Sequence, residues 1–379
     1  MIKKVGILTA GGDCPGLNAV IRGIVKTAEY NNVETYGFLQ GYKGLLENQY
    51  IKLDSYITSG TIHQGGTILG SNNKTNIFAI PEKAPDGSVA YVDKSFEVVD
   101  RLHREGFDCL IVIGGDGSLK SARDFTRRGL NIIGVPKTID NDVPYTDMTF
   151  GFNTAVSVAT EAIDRLHTTA EAHGRIMVLE VMGRYAGWIA LAAGIAGGAD
   201  TVLVPEITYD INSVVRQIEH RRNMGKKFSI VVVAEGAKPK EGEVSVRSIE
   251  NGGTGLDSIK LGGAGEYVAK EIERLTGQEA RATNLGYLQR GGNTCPYDRI
   301  LSTEYGSAAM QLAIEEKFGR MVTLLNGKIT DVSLDDVAGR DTEIGSKSSN
   351  LKLFDLNGDY VKTARRVGIC LGDWLRKVN

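Results

Sequence analysis

The sequence predicts an α/β protein built on doubly wound sheets. Three observations carry that prediction. Strand-like apolar runs alternate with amphipathic helical segments almost throughout, the pattern of repeated strand–helix–strand units. Most of the 47 glycines cluster where the predicted strands end. The 379 residues, 42% of them hydrophobic, suffice for a sizeable core, as two domains or as one large α/β domain.

Taken in order, Lys3 to Thr9 is a predicted strand that runs into Gly11-Gly12-Asp13-Cys14-Pro15-Gly16-Leu17-Asn18. A helix is predicted from about Leu17 to Tyr30, and a second strand from Val33 to Phe38. Gly65-Gly66-Thr67-Ile68-Leu69-Gly70-Ser71 is a further glycine-rich loop, followed by Asn72-Asn73-Lys74-Thr75-Asn76. Ser95 to Glu105 is amphipathic, with Phe96, Val99 and Leu102 on one face. Cys109 to Ile113 is a buried-strand run ending in Gly114-Gly115-Asp116-Gly117-Ser118, with a helix from Leu119 to Arg127. Asn131 to Val135 is the next strand, ending in Pro136-Lys137-Thr138-Ile139-Asp140-Asn141-Asp142.

Beyond this point, Phe152, Val156, Ala159, Ile163 and Leu166 recur at helical spacing and are core. Ile176 to Val181 is a strand ending in Met182-Gly183-Arg184-Tyr185-Ala186-Gly187, and Ala199 to Val204 a short one. Ile211 to Arg222 is a helix closed by Gly225-Lys226-Lys227, where a glycine cap and cations suit a C-terminus. Phe228 to Ala234 is a strand closing in Glu235-Gly236. Ala237 to Asp257, charged and glycine-rich, is read as a surface loop in preference to a mobile flap. A helix carrying Leu261, Ala264, Val268, Ile272 and Leu275 follows, and then a strand and turn from Arg281 to Gly292. Asp298 to Glu316 is a long helix and Met321 to Leu325 a strand. The tail from about Gly339 holds an amphipathic or strand-like stretch, Arg365 to Leu375, to which no role is assigned.

The chemistry concentrates between Asp108 and Thr154. A strand feeding a glycine turn at a helix start cradles phosphate, because glycines admit close approach and free N–H groups favour an anion. Ligands in open α/β sheets sit at strand ends. A phosphate loop and a cluster of one cation with two acids therefore meet at one sheet edge. Each half alone has a plainer reading: GGDGS as a tight turn with Ser118 as cap, TIDND as a turn whose acids cap a helix. On successive strands, together, they favour phosphoryl chemistry.

Composition narrows the class. The net charge of −2 gives no nucleic-acid or anionic-membrane surface. Cys14, Cys109, Cys295 and Cys370 form no CxxC pair, which argues for reduced thiols in a cytosolic protein and against a zinc site. No 18-residue apolar run exists to span a membrane, and the run after Lys3-Lys4 is too short for a signal segment. The five histidines, including His63 and His173, are read as structural or surface groups.

GGDGS followed by PKTIDND resembles the phosphofructokinase family. GGDG also occurs in NAD kinases and lipid kinases; TIDND is the more specific half. GGDCPGLN, MGRYAG, the Ala-Glu-Gly at Glu235 and RATNLGYLQRGG extend the resemblance from Lys3 to about Arg290. It implies two doubly wound, largely parallel-sheet domains with the chain crossing between them. Residues 1–151 plus about 289–340 would form the donor-nucleotide domain, and 152–288 plus about 341–379 the sugar-phosphate domain.

The implied reaction moves the γ-phosphoryl of ATP to the 1-hydroxyl of fructose 6-phosphate, with Mg2+ as cofactor. Asp140 is the implied general base and Asp116 the magnesium-linked acid, with Asp142 assisting the metal or positioning the loop. Thr138 bonds the transferred group or the acceptor hydroxyl, and Lys137 adds a cation. Gly11, Gly115, Gly117 and Ser118 line the donor phosphates. Lys74 stands where the family has an Arg that grips phosphate, keeping the charge but losing the bidentate fork. Met182, Gly183, Arg184 and Glu235 bind the sugar. Arg290 and Tyr287, the latter often His in relatives, hold the 6-phosphate with Arg175 and Arg281 of a neighbouring subunit. A homo-oligomer follows, most simply a tetramer.

Gly117 is typical of ATP users and Lys137 of pyrophosphate users, so the donor signature is mixed; Gly117 favours ATP. An NAD kinase leaves TIDND, MGR and QRGG unexplained, and a noncatalytic sugar-phosphate sensor is disfavoured by intact Asp116, Asp140 and Arg184. Arg22, Lys26, Arg221, Arg222, Lys226 and Lys227 are candidates for an effector site or plain surface charge.

Overall fold

Alternate residues of each strand face opposite ways, and this chain uses both faces. In the strand Cys109–Gly114, Cys109, Ile111 and Ile113 enter one core while Leu110 and Val112 enter another. Sheets buried on both sides need helices on both sides. The computed structural model describes residues 2–83, 87–240, 246–249, 259–339 and 350–373.

The strands in chain order are β1 (Lys4–Thr9), β2 (Glu34–Phe38), β3 (Tyr50–Leu53), β4 (Ile80–Lys83), β5 (Val89–Val92), β6 (Cys109–Gly114) and β7 (Ile132–Pro136). They continue as β8 (Ile176–Val181), β9 (Thr201–Leu203), β10 (Ser229–Ala234), β11 (Val246–Ile249), β12 (Ile259–Leu261), β13 (Ala280–Asn284), β14 (Arg320–Leu325) and β15 (Lys328–Ser333). The large sheet runs β15-β14-β7-β6-β1-β2-β3, parallel except for its two edge strands. A smaller sheet, β13-β8-β10-β9, is wholly parallel. The chain leaves the large sheet after β7, builds the small one, and returns for β14 and β15.

The helices that cover these sheets include α1 (Leu17–Tyr30), α2 (Tyr42–Glu47), α3 (Ser95–Arg104), α4 (Asp116–Arg127), α5 (Phe152–His173) and α6 (Trp188–Ala196). After them come α7 (Ile211–Asn223), α8 (Ala264–Thr276), α9 (Pro296–Ile314), α10 (Leu334–Ala338) and α11 (Asp359–Arg366). One continuous core lies between the sheets and holds α1, α5, α6 and α9; α3, α4 and α10 close the outer face of the large sheet, and α7 and α8 that of the small one.

Several expectations needed correction. Phe96 is 61% exposed, and the buried face of α3 is Val98, Val99 and Leu102; Phe96 instead lies under the Arg128 guanidinium, 5.1 Å from ring centroid to the cation. Helix α4 begins at Asp116, three residues before the predicted start, with Gly115 as N-cap and no side-chain cap from Ser118. Of the loop read from Ala237 to Asp257, residues 241–245 and 250–257 lie outside the described residues, and β11 inside it pairs antiparallel with β12. The stretch Arg365 to Leu375 begins in the last turn of a helix, α11, and Cys370 bridges to Thr201 at the edge of the small sheet; its last two residues lie outside the described ones.

Candidate active site

Strand order locates the site. In the large sheet β1 is flanked by β2 on one side and β6 on the other, so the loops leaving β1 and β6 part at a topological switch point, where open sheets bind ligands. The first loop is Gly11–Gly16 and the second Gly115–Ser118. A Cβ on Gly11 would lie 3.5 Å from the Lys137 ammonium and 3.6 Å from the Ser118 hydroxyl; one on Gly12 would lie 3.0 Å from the Arg290 guanidinium. Four sequence-predicted residues thus converge on one glycine-lined hollow.

The hollow is braced. Lys137 Nζ donates to the Gly12 carbonyl, its backbone N–H to the Gly114 carbonyl at 2.9 Å, and Arg290 donates to the Asp13 carbonyl at 3.0 Å. Ser71 Oγ donates to the Gly11 carbonyl. Asn18 Nδ2 donates to the Gln64 carbonyl at 3.1 Å and its Oδ1 accepts from Ile68 N–H at 2.8 Å, which ties the Gly65–Ser71 loop to the start of α1. Asn18 and Ser71 were quoted in their motifs but given no role; the polar residue beside the glycines was the available signal. Lys74 is exposed, and its backbone N–H donates to Asn72 Oδ1 at 2.9 Å.

The acids lie beside it. Thr138 Oγ1 accepts from Asp140 N–H at 3.1 Å. Asp140 Oδ1 is buried, with no hydrogen-bond partner among the described residues. Burial pushes the Asp140 carboxyl above its ordinary range; the Arg290 guanidinium pulls it back, Glu235 pushes it up and Lys137 pulls it down. Burial, then the Asp140 charge, likewise push Asp142 up, against a hydrogen bond from Thr138. Burial lowers the Lys137 ammonium. Asp116 opens α4 and pairs with Lys120 at 3.6 Å. Among the described residues no three or more His, Cys, Asp or Glu side chains converge as a ligand set. Magnesium at phosphate sites takes one or two carboxylates with phosphate and water oxygens, and the hard oxygens of Asp116, whose charge reaches Asp142, fit that requirement.

The small sheet supplies the facing wall from the carboxyl ends of β8 and β10. Glu235 N–H donates to the Val181 carbonyl at 2.9 Å and Gly236 N–H to the Gly183 carbonyl at 3.1 Å, so the turn after β10 is laid on Met182-Gly183-Arg184. Burial raises Glu235, Glu180 adds to that, and Arg290 and Arg184 oppose it. Glu235 therefore stands between the cations of both walls. Gln289, fully buried and given no role from sequence, accepts from Met182 N–H at 3.2 Å. Tyr287 is 77% exposed on the turn Gly286–Gln289. Arg175 and Arg281 sit apart from the hollow at the start of β8 and β13. Both bind Glu279, at 2.7 and 2.5 Å. Arg221 pairs with Asp200 at 2.6 Å and Lys26 donates to Ser55 at 2.6 Å, which gives two of the candidate effector cations partners within the chain.

A glycine cradle beside buried acids, facing Arg184 and Glu235 at the strand ends of a second parallel sheet, has the groups that phosphoryl transfer requires. Residues 4–313 match the family model for phosphofructokinase, and the chain belongs to the phosphofructokinase family. It is 53% identical over 374 residues to ATP-dependent 6-phosphofructokinase 2 of Clostridium perfringens, covering 98% of this chain and 99% of that protein. It is 45% identical to ATP-dependent 6-phosphofructokinase of Spirochaeta thermophila, covering 98% of each. Phosphofructokinase from Saccharomyces cerevisiae superposes with a TM-score of 0.75 at 28% identity over 89% of this chain, which spans 45% of the yeast chain.

Proposed function

We propose that the chain is an ATP-dependent 6-phosphofructokinase, using magnesium to phosphorylate the 1-hydroxyl of fructose 6-phosphate. The observation that carries this reading is the convergence of Gly11, Ser118, Lys137 and Arg290 beside Asp140, a desolvated carboxylate with an oxygen unbonded among the described residues. Relatives at 45% identity and above carry the ATP-dependent name.

Donor phosphates lie along Gly11 and Gly115–Ser118, with Lys137 and Lys74 as cations. Asp116 holds magnesium, which when bound neutralises charge on the phosphate oxygens. Met182, Gly183, Arg184 and Glu235 hold the sugar; Arg290 and Tyr287 take its 6-phosphate. Thr138 orients the acceptor hydroxyl, Asp140 accepts its proton, and Asp142 steadies the loop and joins it to the sugar. The oxygen–phosphorus bond then forms as the bond to ADP breaks, while Lys137 and Arg184 offset the developing charge. Residues 1–151 plus about 289–340 form the donor domain and 152–288 plus about 341–379 the sugar domain. Four free cysteines suit a reducing cytoplasm, and no described helix is long and apolar enough to cross a membrane. Purified protein given fructose 6-phosphate, magnesium and a panel of donors should yield fructose 1,6-bisphosphate fastest with ATP. Phosphorylation only of NAD supplied as an alternative acceptor, or no product with any donor, refutes the reading.

Asp140 works as a base only when deprotonated. Its raised pKa moves the acid limb of kcat/KM above the ordinary carboxylate range, activity rising with pH through the limb. Arg290→Met removes the cation that holds that pKa down, so the limb should move to still higher pH. A limb near pH 4 in both proteins would remove Asp140 as the base.

Arg175 and Arg281, paired with Glu279 in this chain, would serve a neighbour's site. We expect a homo-oligomer, most simply a tetramer, in light scattering at assay concentration. A fully active monomer contradicts the shared site.

A further inference from the structure

The loop that carries both acids turns on Asn141, whose φ of 52° is left-handed. Asparagine tolerates that conformation better than other non-glycine residues, and buried contacts can fix it there. Asn141 is buried, and its Oδ1 accepts from Thr149 N–H at 3.0 Å; Thr149 Oγ1 in turn donates to the Thr138 carbonyl at 2.7 Å. The remaining constraint comes from 211 positions further along the chain. Lys352 Nζ donates to Asn141 Oδ1 at 2.8 Å, to the Thr146 carbonyl at 2.8 Å and to the Asp147 carbonyl at 3.0 Å. Its backbone N–H donates to the Asp142 carbonyl at 2.9 Å. All three ammonium protons are used, and every acceptor lies on one loop.

Lys352 is itself held from the sugar side. Its carbonyl accepts from Trp188 Nε1 at 3.0 Å, and the Trp188 ring lies 5.6 Å from its ammonium. Trp188 opens α6 directly after Met182-Gly183-Arg184-Tyr185-Ala186-Gly187 and is packed edge-on by Phe354 and Tyr360 of the same tail, at 5.7 and 5.8 Å. The charges facing the ammonium are Asp147 and Asp142.

We propose that Lys352 is a positioning residue for phosphoryl transfer: it locks the 138–142 loop in its reactive shape and ties that loop, through Trp188, to the strand end that carries Arg184. This rests on the reading of 138–142 as the catalytic loop. The effect falls on the transition state, because Asp140 and Thr138 need accurate placement there and less in the bound ground state.

The test is steady-state kinetics of Lys352→Ala well below its melting temperature. A loop displaced by about 1 Å costs on the order of a hundredfold, so kcat should fall by about tenfold to a hundredfold with both KM values little changed. Propylammonium, which supplies the missing stem and charge, should restore much of the lost kcat without changing the variant's melting temperature. A kcat within about twofold of the unaltered protein, or a loss that propylammonium does not restore, overturns the proposal. If Lys352→Ala fails to fold, Trp188→Phe keeps an aromatic ring while removing the indole N–H and part of the ring area. It should show a smaller loss with the same kcat-over-KM pattern, and unchanged kcat there overturns the proposal. An unaltered protein that makes no fructose 1,6-bisphosphate sinks the reaction itself, and this inference with it.

Discussion

Asp140→Asn is expected to fold, to bind fructose 6-phosphate and to lose at least about a hundredfold in turnover, since a positioned general base contributes about 10²–10⁴-fold. The structure adds a second expectation, on stability. The Asp140 carboxyl is buried and its pKa is raised in the fold, so the folded chain binds that proton more tightly than the unfolded chain does. Stability contributed by this group is therefore highest below the ordinary carboxylate range and falls as pH rises through the raised value. Asparagine carries no charge to desolvate, so at neutral pH the variant should melt at or above the unaltered protein. Loss of turnover with equal or higher melting temperature marks a residue kept for chemistry. Near-wild-type turnover removes Asp140 from the mechanism, and a collapsed melting temperature shows that its role is structural.

What the sequence made legible was what the chain encodes locally. Glycine runs at strand ends marked the hollow because close approach of backbone needs glycine at that position. Most buried strands of the two sheets around the site announced themselves by an apolar run, interrupted in β8 by the buried Glu180. Helical period placed α1 within its observed bounds, because Leu17, Val20, Ile21, Ile24 and Val25 all face one core. Distant contacts were not encoded that way. Lys352 reads as one more lysine in a charged tail, and only folding brings it to Asn141. Arg290 was assigned to the sugar phosphate from its motif, and its reach to the Asp13 carbonyl, 277 residues away, has no local signature. Phe96 was placed in the core by hydrophobicity alone, although an aromatic face can be covered by a guanidinium such as Arg128 instead. Helix α6 is apolar on nearly every side because it lies between the two sheets, so it offered no amphipathic period to read.

Gly117→Asp is expected to depress ATP use far more than pyrophosphate use. Gly117 is exposed at the second position of α4, and a Cβ built there meets nothing within 4 Å. The chain therefore has room for the side chain, and an acid in the first turn of a helix is favoured by the macrodipole. The variant should fold and melt like the unaltered protein. The conflict arises only with the nucleotide, whose α-phosphate would share that open space and meet a second negative charge in a partly dry site. Pyrophosphate has no α-phosphate or nucleoside to place there, and Lys137, close to Gly11 and Ser118 in the hollow, can neutralise the transferred group with either donor. We expect kcat/KM for ATP to fall by at least about tenfold, as a repulsion of about 1.4 kcal/mol or more requires, while pyrophosphate use changes far less. Parallel initial rates with the two donors check it. Higher catalytic efficiency with pyrophosphate in the unaltered protein overturns ATP as the donor, and an equal loss for both donors in the variant shows that Gly117 shapes the loop without selecting what binds there.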